Sequence, residues 1–178
     1  MRLIAFFLCL FPAPLAANDW EAFNNPGVVA IMRHALAPGT GDPANFDITD
    51  CRTQRNLDDK GRAQSKAIGQ ALRDRGIVFE AVYASQWCRT RDTAELMDVG
   101  TVEDAPYLNS FFSDRSTSAE QTAEAFRVVS AADFPLMMVT HQVNISALTG
   151  RFTSSGEILI INIEDDRINV LGSVLIDP

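Results

Sequence analysis

Residues 30–39 read AIMRHALAPG. An apolar run that begins at Val28 ends on Arg33 and His34, then passes into a loop holding Pro38 and Gly39. A short apolar run bounded by turn residues predicts a buried strand rather than a helix. A guanidinium and an imidazole at the carboxyl end of such a strand lie where open α/β sheets bind their ligands. The chain has only two histidines, so the placement of one at this point carries information.

The pattern recurs downstream. Ala81–Ala84 is a second apolar run, followed by Ser85, which is expected to cap a helix running to about Met97. Leu136–Val139 is a third, closing on Thr140 and His141 before a short helix from Gln142 to Leu148 that Gly150 stops. Asp58 to Arg75 reads as a helix with Asp58 and Asp59 at its start and Arg73 and Arg75 in its last turn. Its apolar face is Ala63, Ala67, Ile68, Ala71 and Leu72, and Gly76 ends it. Thr117 or Ser118 opens another helix, with Gln121 completing a weak capping box. Ile158–Ile163 and Ile168–Ile176, joined by a turn at 164–167, predict a terminal hairpin. Alternating strands and helices predict a three-layer α/β/α fold with a mostly parallel central sheet.

Three strands thus end on polar groups: Arg33-His34, the segment from Ser85 to Arg89, and Thr140-His141. Two guanidiniums at one edge can grip a phosphoryl group bidentately. Helix N-termini after Ser85 and Thr140 would add N–H donors. One histidine can then attack phosphorus while the other stabilises charge on the phosphoryl oxygens. No Ser/Asp partner set for a hydrolase triad is visible, and two histidines with scattered carboxylates do not make a metal site.

Four blocks in order resemble the histidine phosphatase superfamily, also called the phosphoglycerate-mutase-like fold. VVAIMRHA at 28–35 is similar to its first strand and Arg-His-Gly; RNLDDKGRAQSKAIGQAL at 55–72 to its first helix. VYASQWCRTRDTAEL at 82–96 is similar to its second strand and pocket arginine, and MMVTHQVNISALTG at 137–150 to its last strand and second histidine. The resemblance implies a phosphatase that works through a phosphohistidine. His34 would be the nucleophile and Arg33, Arg89 and His141 the rest of the phosphate pocket, with no metal or organic cofactor. The expected partner is a small phosphorylated substrate. A mutase-like phosphoryl transferase and an inactive phosphate-binding module are the alternatives.

Two positions depart from the family pattern. Ala35 stands where the family has glycine, and Gln142 follows the second histidine. A proton donor is therefore expected from the segment between Arg89 and His141, which offers Glu103, Asp104, Asp114 and Glu120. Asp114 is the choice, because Phe111 and Phe112 are expected to desolvate it and so raise its pKa. The loop from Ala37 to Asp50 and the segment from Pro106 to Ser116 are expected to line the entrance, with Asn45, Phe46, Phe111 and Phe112 available to stack on a leaving group. Asp42, Asp47 and Asp50 make that loop acidic and disfavour highly phosphorylated substrates.

The first 17 residues read as a secretory signal peptide: Arg2, an apolar run from Leu3 to Leu10, then prolines and Ala16-Ala17. Residues 18–178 are then one domain, exported to the periplasm or beyond. The segment is too short and proline-broken to span a membrane. Beyond Cys9 only Cys51 and Cys88 remain, and an even count in an exported chain predicts a disulfide. A net charge of −8 argues against nucleic acid and anionic membranes as partners.

Overall fold

A computed structural model describes residues 18–177; the expected signal peptide, with Cys9, lies outside them. The strands are β1 (Val29–Arg33), β2 (Ala81–Ala84), β3 (Val102–Asp104), β4 (Leu136–Thr140), β5 (Ile158–Glu164) and β6 (Arg167–Val174). The helices are α1 (Asp59–Asp74), α2 (Cys88–Met97), α3 (Ser118–Ala131) and α4 (Gln142–Thr149). One sheet has the order β3-β2-β4-β1-β5-β6. β3, β2, β4 and β1 pair in parallel, and β5 and β6 add an antiparallel edge.

Period-two alternation explains the layers. Along β1, Ala30 and Met32 face a core shared with Ile68 and Leu72 of α1 and Ala94 and Met97 of α2. Val29 and Ile31 face the other way, onto Ala125 and Val129 of α3 and Ile145 of α4. β1 and β4 are covered on both sides, which is why they read as unbroken apolar runs. Truncating a side chain such as Ile68 to alanine in this core costs about 2–5 kcal/mol.

The expected helices and terminal hairpin form, and the turn of the hairpin is Asp165-Asp166, both at positive φ. β3 was not expected: three residues, two of them acidic and exposed, give no periodic signal. Ser85 is not a cap. The second helix begins only at Cys88, its preceding residue Trp87 makes no side-chain cap bond, and the Ser85 hydroxyl turns to His141 instead. Thr117 likewise makes no cap bond to the backbone; its hydroxyl reaches the Gln121 side chain.

α1 is docked tightly on the loop after His34. A Cβ at Gly61 would meet the Leu36 carbonyl oxygen at 1.9 Å, so only glycine lets this helix approach. Gln64, one turn on, accepts the Leu36 N–H at 2.9 Å and donates to the carbonyls of Ser155 and Ile176.

Candidate active site

Strand register builds the site. Arg33 lies opposite Thr140, and Ala84 opposite Val139. The residues that follow, His34, His141 and Ser85, therefore leave the sheet side by side at its carboxyl edge. The pairing continues one residue beyond the strands: His34 donates its N–H to the Thr140 carbonyl and Ser85 to that of Val139, each at 3.0 Å. The two imidazoles are buried, 2% and 4% exposed, with ring centroids 5.5 Å apart.

Hydrogen-bond partners assign the tautomers. His34 Nδ1 lies 2.7 Å from the Ala35 carbonyl, which can only accept. Nδ1 therefore carries the proton, and Nε2 has a free lone pair. His141 Nδ1 lies 3.5 Å from Arg89 Nη2, which can only donate. His141 is therefore protonated on Nε2, which donates to Ser85 Oγ at 2.9 Å; the serine hydroxyl passes on to Asn109 Oδ1 at 3.2 Å. Burial holds the pKa of both histidines well below the ordinary value, and the Arg89 charge pushes in the same direction.

Arg33 and Arg89 enter the same region from β1 and α2. Arg33 Nη1 donates to the Thr153 carbonyl at 3.1 Å. Arg89 is 3% exposed. The Nε atoms of both are buried without an acceptor among the described residues. Burial and the neighbouring Arg89 lower the Arg33 pKa.

A third guanidinium, Arg55, joins them and was given no role from sequence, although it opens the 55–72 block. Its Nε donates to the Gly41 carbonyl at 3.0 Å and its Nη1 to that of Ala37. Burial, then the Arg89 charge, bring its pKa down to about 10. Asp42 also enters the site: Arg89 Nη1 and Nη2 donate to its two oxygens at 2.7 and 3.2 Å. Burial pushes this carboxyl up, but hydrogen bonds from Arg89, Trp87 and the Arg55 backbone more than offset it, and its pKa lies below the ordinary value. Of the three acidic loop residues, only Asp42 bonds to Arg89; Asp47 and Asp50 bond to Thr49 and Arg52 close by in sequence.

Ala35 needs no glycine-like backbone. It is absent from the positive-φ positions, its N–H donates to Thr93 Oγ1 at 3.0 Å, and its methyl packs with Ala37 and Leu57. Gln142 braces the Arg33 side of the site: its Oε1 accepts from the Thr153 N–H and hydroxyl, at 2.8 and 2.9 Å.

Asp114 does not meet its expectation. The carboxyl is exposed and accepts the Ser116 N–H at 2.9 Å, which lowers its pKa rather than raising it. Phe111 is buried away in the fold and Phe112 is 53% exposed, so the two rings do not desolvate it. Asp104 pairs with Arg91 at 3.4 Å, and Glu103 and Glu120 are exposed.

Cys51 and Cys88 are disulfide-bonded, with Cα atoms 5.7 Å apart, as expected. The bridge joins the end of the 37–50 loop to the residue before Arg89. Among the described residues, no cluster of three His, Cys, Asp or Glu side chains could hold a metal, and no helix is long and apolar enough to cross a membrane. Surface grooves of about 660 Å³ between α3 and α4 and about 420 Å³ beside β3 contain none of the pocket residues.

Residues 29–107 match the model of the histidine phosphatase superfamily, branch 1. The chain carries the histidine phosphatase fold. The matched residues take in the first three of its four sequence blocks, and the fourth, at 137–150, lies beyond them. It is 34% identical over 101 residues to the serine/threonine-protein phosphatase Pgam5, mitochondrial, of Drosophila grimshawi, covering 53% of this chain and 34% of that protein. It is 28% identical over 111 residues to an uncharacterized protein of Picosynechococcus, covering 62% and 64%. The chain spans about a third of the length of the Pgam5 proteins it matches. Among solved structures, the protein histidine phosphatase SixA complexed with tungstate has a TM-score of 0.55 at 21% identity, covering 83% of this chain and 96% of that one. Phosphoserine phosphatase from Entamoeba histolytica has a TM-score of 0.60 at 11% identity, covering 84% and 97%. At these identities the structures establish the fold alone.

Proposed function

We propose that the protein is an exported phosphomonoesterase that uses His34 as a nucleophile. The observation that carries this reading is the His34 tautomer: Nδ1–H is spent on the Ala35 carbonyl, so the lone pair of Nε2 is free in a pocket shared with the buried Arg89 and the half-buried Arg33. Nε2 attacks phosphorus, and the bond from phosphorus to the leaving group breaks, with the electron pair departing on that group. Water then attacks the phosphohistidine, the N–P bond breaks, and the pair returns to Nε2, releasing inorganic phosphate. Arg33 and Arg89 spread the charge of the transferring group, as oxyanion donors do. His141, neutral and with Nδ1 turned towards Arg89, would hold that guanidinium beside the transferring group.

Among the described residues, the carboxyl that reaches the arginines of the pocket is Asp42, and its pKa is lowered rather than raised. The site therefore suits a phosphoryl group on a leaving group that departs without a proton. The well-seated Ala35 removes the main reason to read the protein as an inactive phosphate-binding module. The Cys51–Cys88 bridge supports an oxidising, exported location. Release of phosphate from para-nitrophenyl phosphate tests the reading: the wild type turns over, and His34→Ala loses activity by at least roughly 10³-fold. An inert wild type would instead leave a binding protein.

A further inference from the structure

The loop at 37–50 places a carboxylate on the pocket's own cation. Asp42 takes both terminal nitrogens of Arg89, at 2.7 and 3.2 Å. It also accepts Trp87 Nε1–H at 3.0 Å and the Arg55 backbone N–H at 3.1 Å. The indole that holds it stacks on Phe46 of the same loop, with centroids 4.9 Å apart, and meets His141 edge-on at 5.3 Å. A carboxylate gripped across two guanidinium nitrogens has the geometry that two phosphoryl oxygens adopt on the same group. Nη2, one of the two nitrogens engaged, is also the atom that faces His141. Asp42 therefore shares Nη2 with the face of Arg89 turned to His141, while Nε of the same group has no acceptor among the described residues.

We propose that Asp42 is an internal competitor for the phosphoryl group, giving up the Nη edge of Arg89 when a phosphoryl group binds and reclaiming it when phosphate leaves. This rests on the phosphatase reading above. Among the described residues, Asp42 is the one carboxylate hydrogen-bonded to Arg33, Arg55 or Arg89. Three guanidiniums this close, one of them fully buried, need a counter-charge. Asp42 supplies it until the substrate's own charge replaces it. The exchange sets a threshold: an anion that binds no better than a carboxylate does not enter. It also aids turnover, because the returning carboxylate drives phosphate out. Asp42 is in this sense a specificity-determining residue, and Trp87 a positioning residue that holds it.

Calorimetric titration of the full chain with tungstate, an inert tetrahedral dianion, tests the exchange. Asp42→Asn is expected to bind tungstate about 10-fold or more tighter than wild type, the loss of one ionic competitor. In turnover the same variant should show a lower KM and stronger inhibition by phosphate. Trp87→Phe keeps the ring, removes one donor to Asp42 and should tighten tungstate binding by a smaller factor; it serves if Asp42→Asn melts early. Unchanged or weaker binding in folded Asp42→Asn overturns the proposal, because Asp42 would then be orienting Arg89 rather than competing for it. Failure of tungstate to bind wild type and both variants would strike instead at the phosphate pocket itself.

Discussion

His34 donates its backbone N–H to the carbonyl of Thr140, the residue immediately before His141, at 3.0 Å. This single bond, one step beyond the last pair of a parallel ladder, fixes the two imidazoles in one buried layer. Parallel pairing makes the relationship possible, since it brings two strand ends of the same polarity together.

The arginine pair should behave as forks rather than as point charges. Arg33→Leu and Arg89→Leu are each expected to cost about 10²–10³-fold in kcat/KM, comparable to losing an oxyanion donor. Arg89→Lys should recover little, because an ammonium cannot reproduce bidentate geometry. Steady-state kinetics on para-nitrophenyl phosphate decide the matter; near-complete rescue by lysine would remove the bidentate role.

Both histidines have folded pKa values below the ordinary 6.5. The unfolded chain therefore takes up protons between 6.5 and those lower values while the folded chain does not, so stability rises with pH across that window. It is full above about pH 6.5 and falls as the pH drops below it. These are the chain's only histidines, so thermal melts between pH 7 and about 5.5 report on them. The same depression keeps His34, the proposed nucleophile, neutral, and the acid limb of kcat/KM is expected below pH 6.5. A limb above 6.5 would contradict the neutral, buried His34.

Cys51 and Cys88 close a loop of 37 residues. Removing the bridge in a Cys51→Ser/Cys88→Ser double variant should cost about 3–4 kcal/mol on the chain-entropy model. Denaturant unfolding of the oxidised, reduced and double-variant proteins measures it. The double variant should also match the reduced wild type, which separates the bridge from the cysteines' packing.

Asp114→Asn is expected to change hydrolysis of an alkyl phosphate and of para-nitrophenyl phosphate by similar, small factors, because the exposed carboxyl bonds to Ser116 rather than to the pocket. General acids are worth about 10²–10⁴-fold on a poor leaving group. A loss of that size on the alkyl ester alone would restore Asp114 as the proton donor.

Much of this was legible from local pattern. β1 and β4 are apolar runs because both faces are covered, and the polar residues that end them line the candidate site. The placement of Arg33, His34 and His141 at those strand ends follows from that alone, whereas Arg89, inside α2, was singled out by the resemblance to the family's pocket arginine. What escaped depends on side-chain geometry across the fold. Ser85 looks like a helix cap because serine before a helix usually is one, yet its hydroxyl serves His141. Arg55 and Asp42 are 13 residues apart in an irregular loop, and no periodicity marks the bond that joins them. Asp114 was misjudged because adjacency to two phenylalanines in sequence says nothing about which way the rings turn.

The covalent intermediate is the most direct test. Wild-type protein denatured during turnover should carry an acid-labile, base-stable phosphoryl group on the peptide containing His34, absent from His34→Ala. A phosphoryl group mapped to any other residue, or wild-type turnover by His34→Ala, would contradict the account.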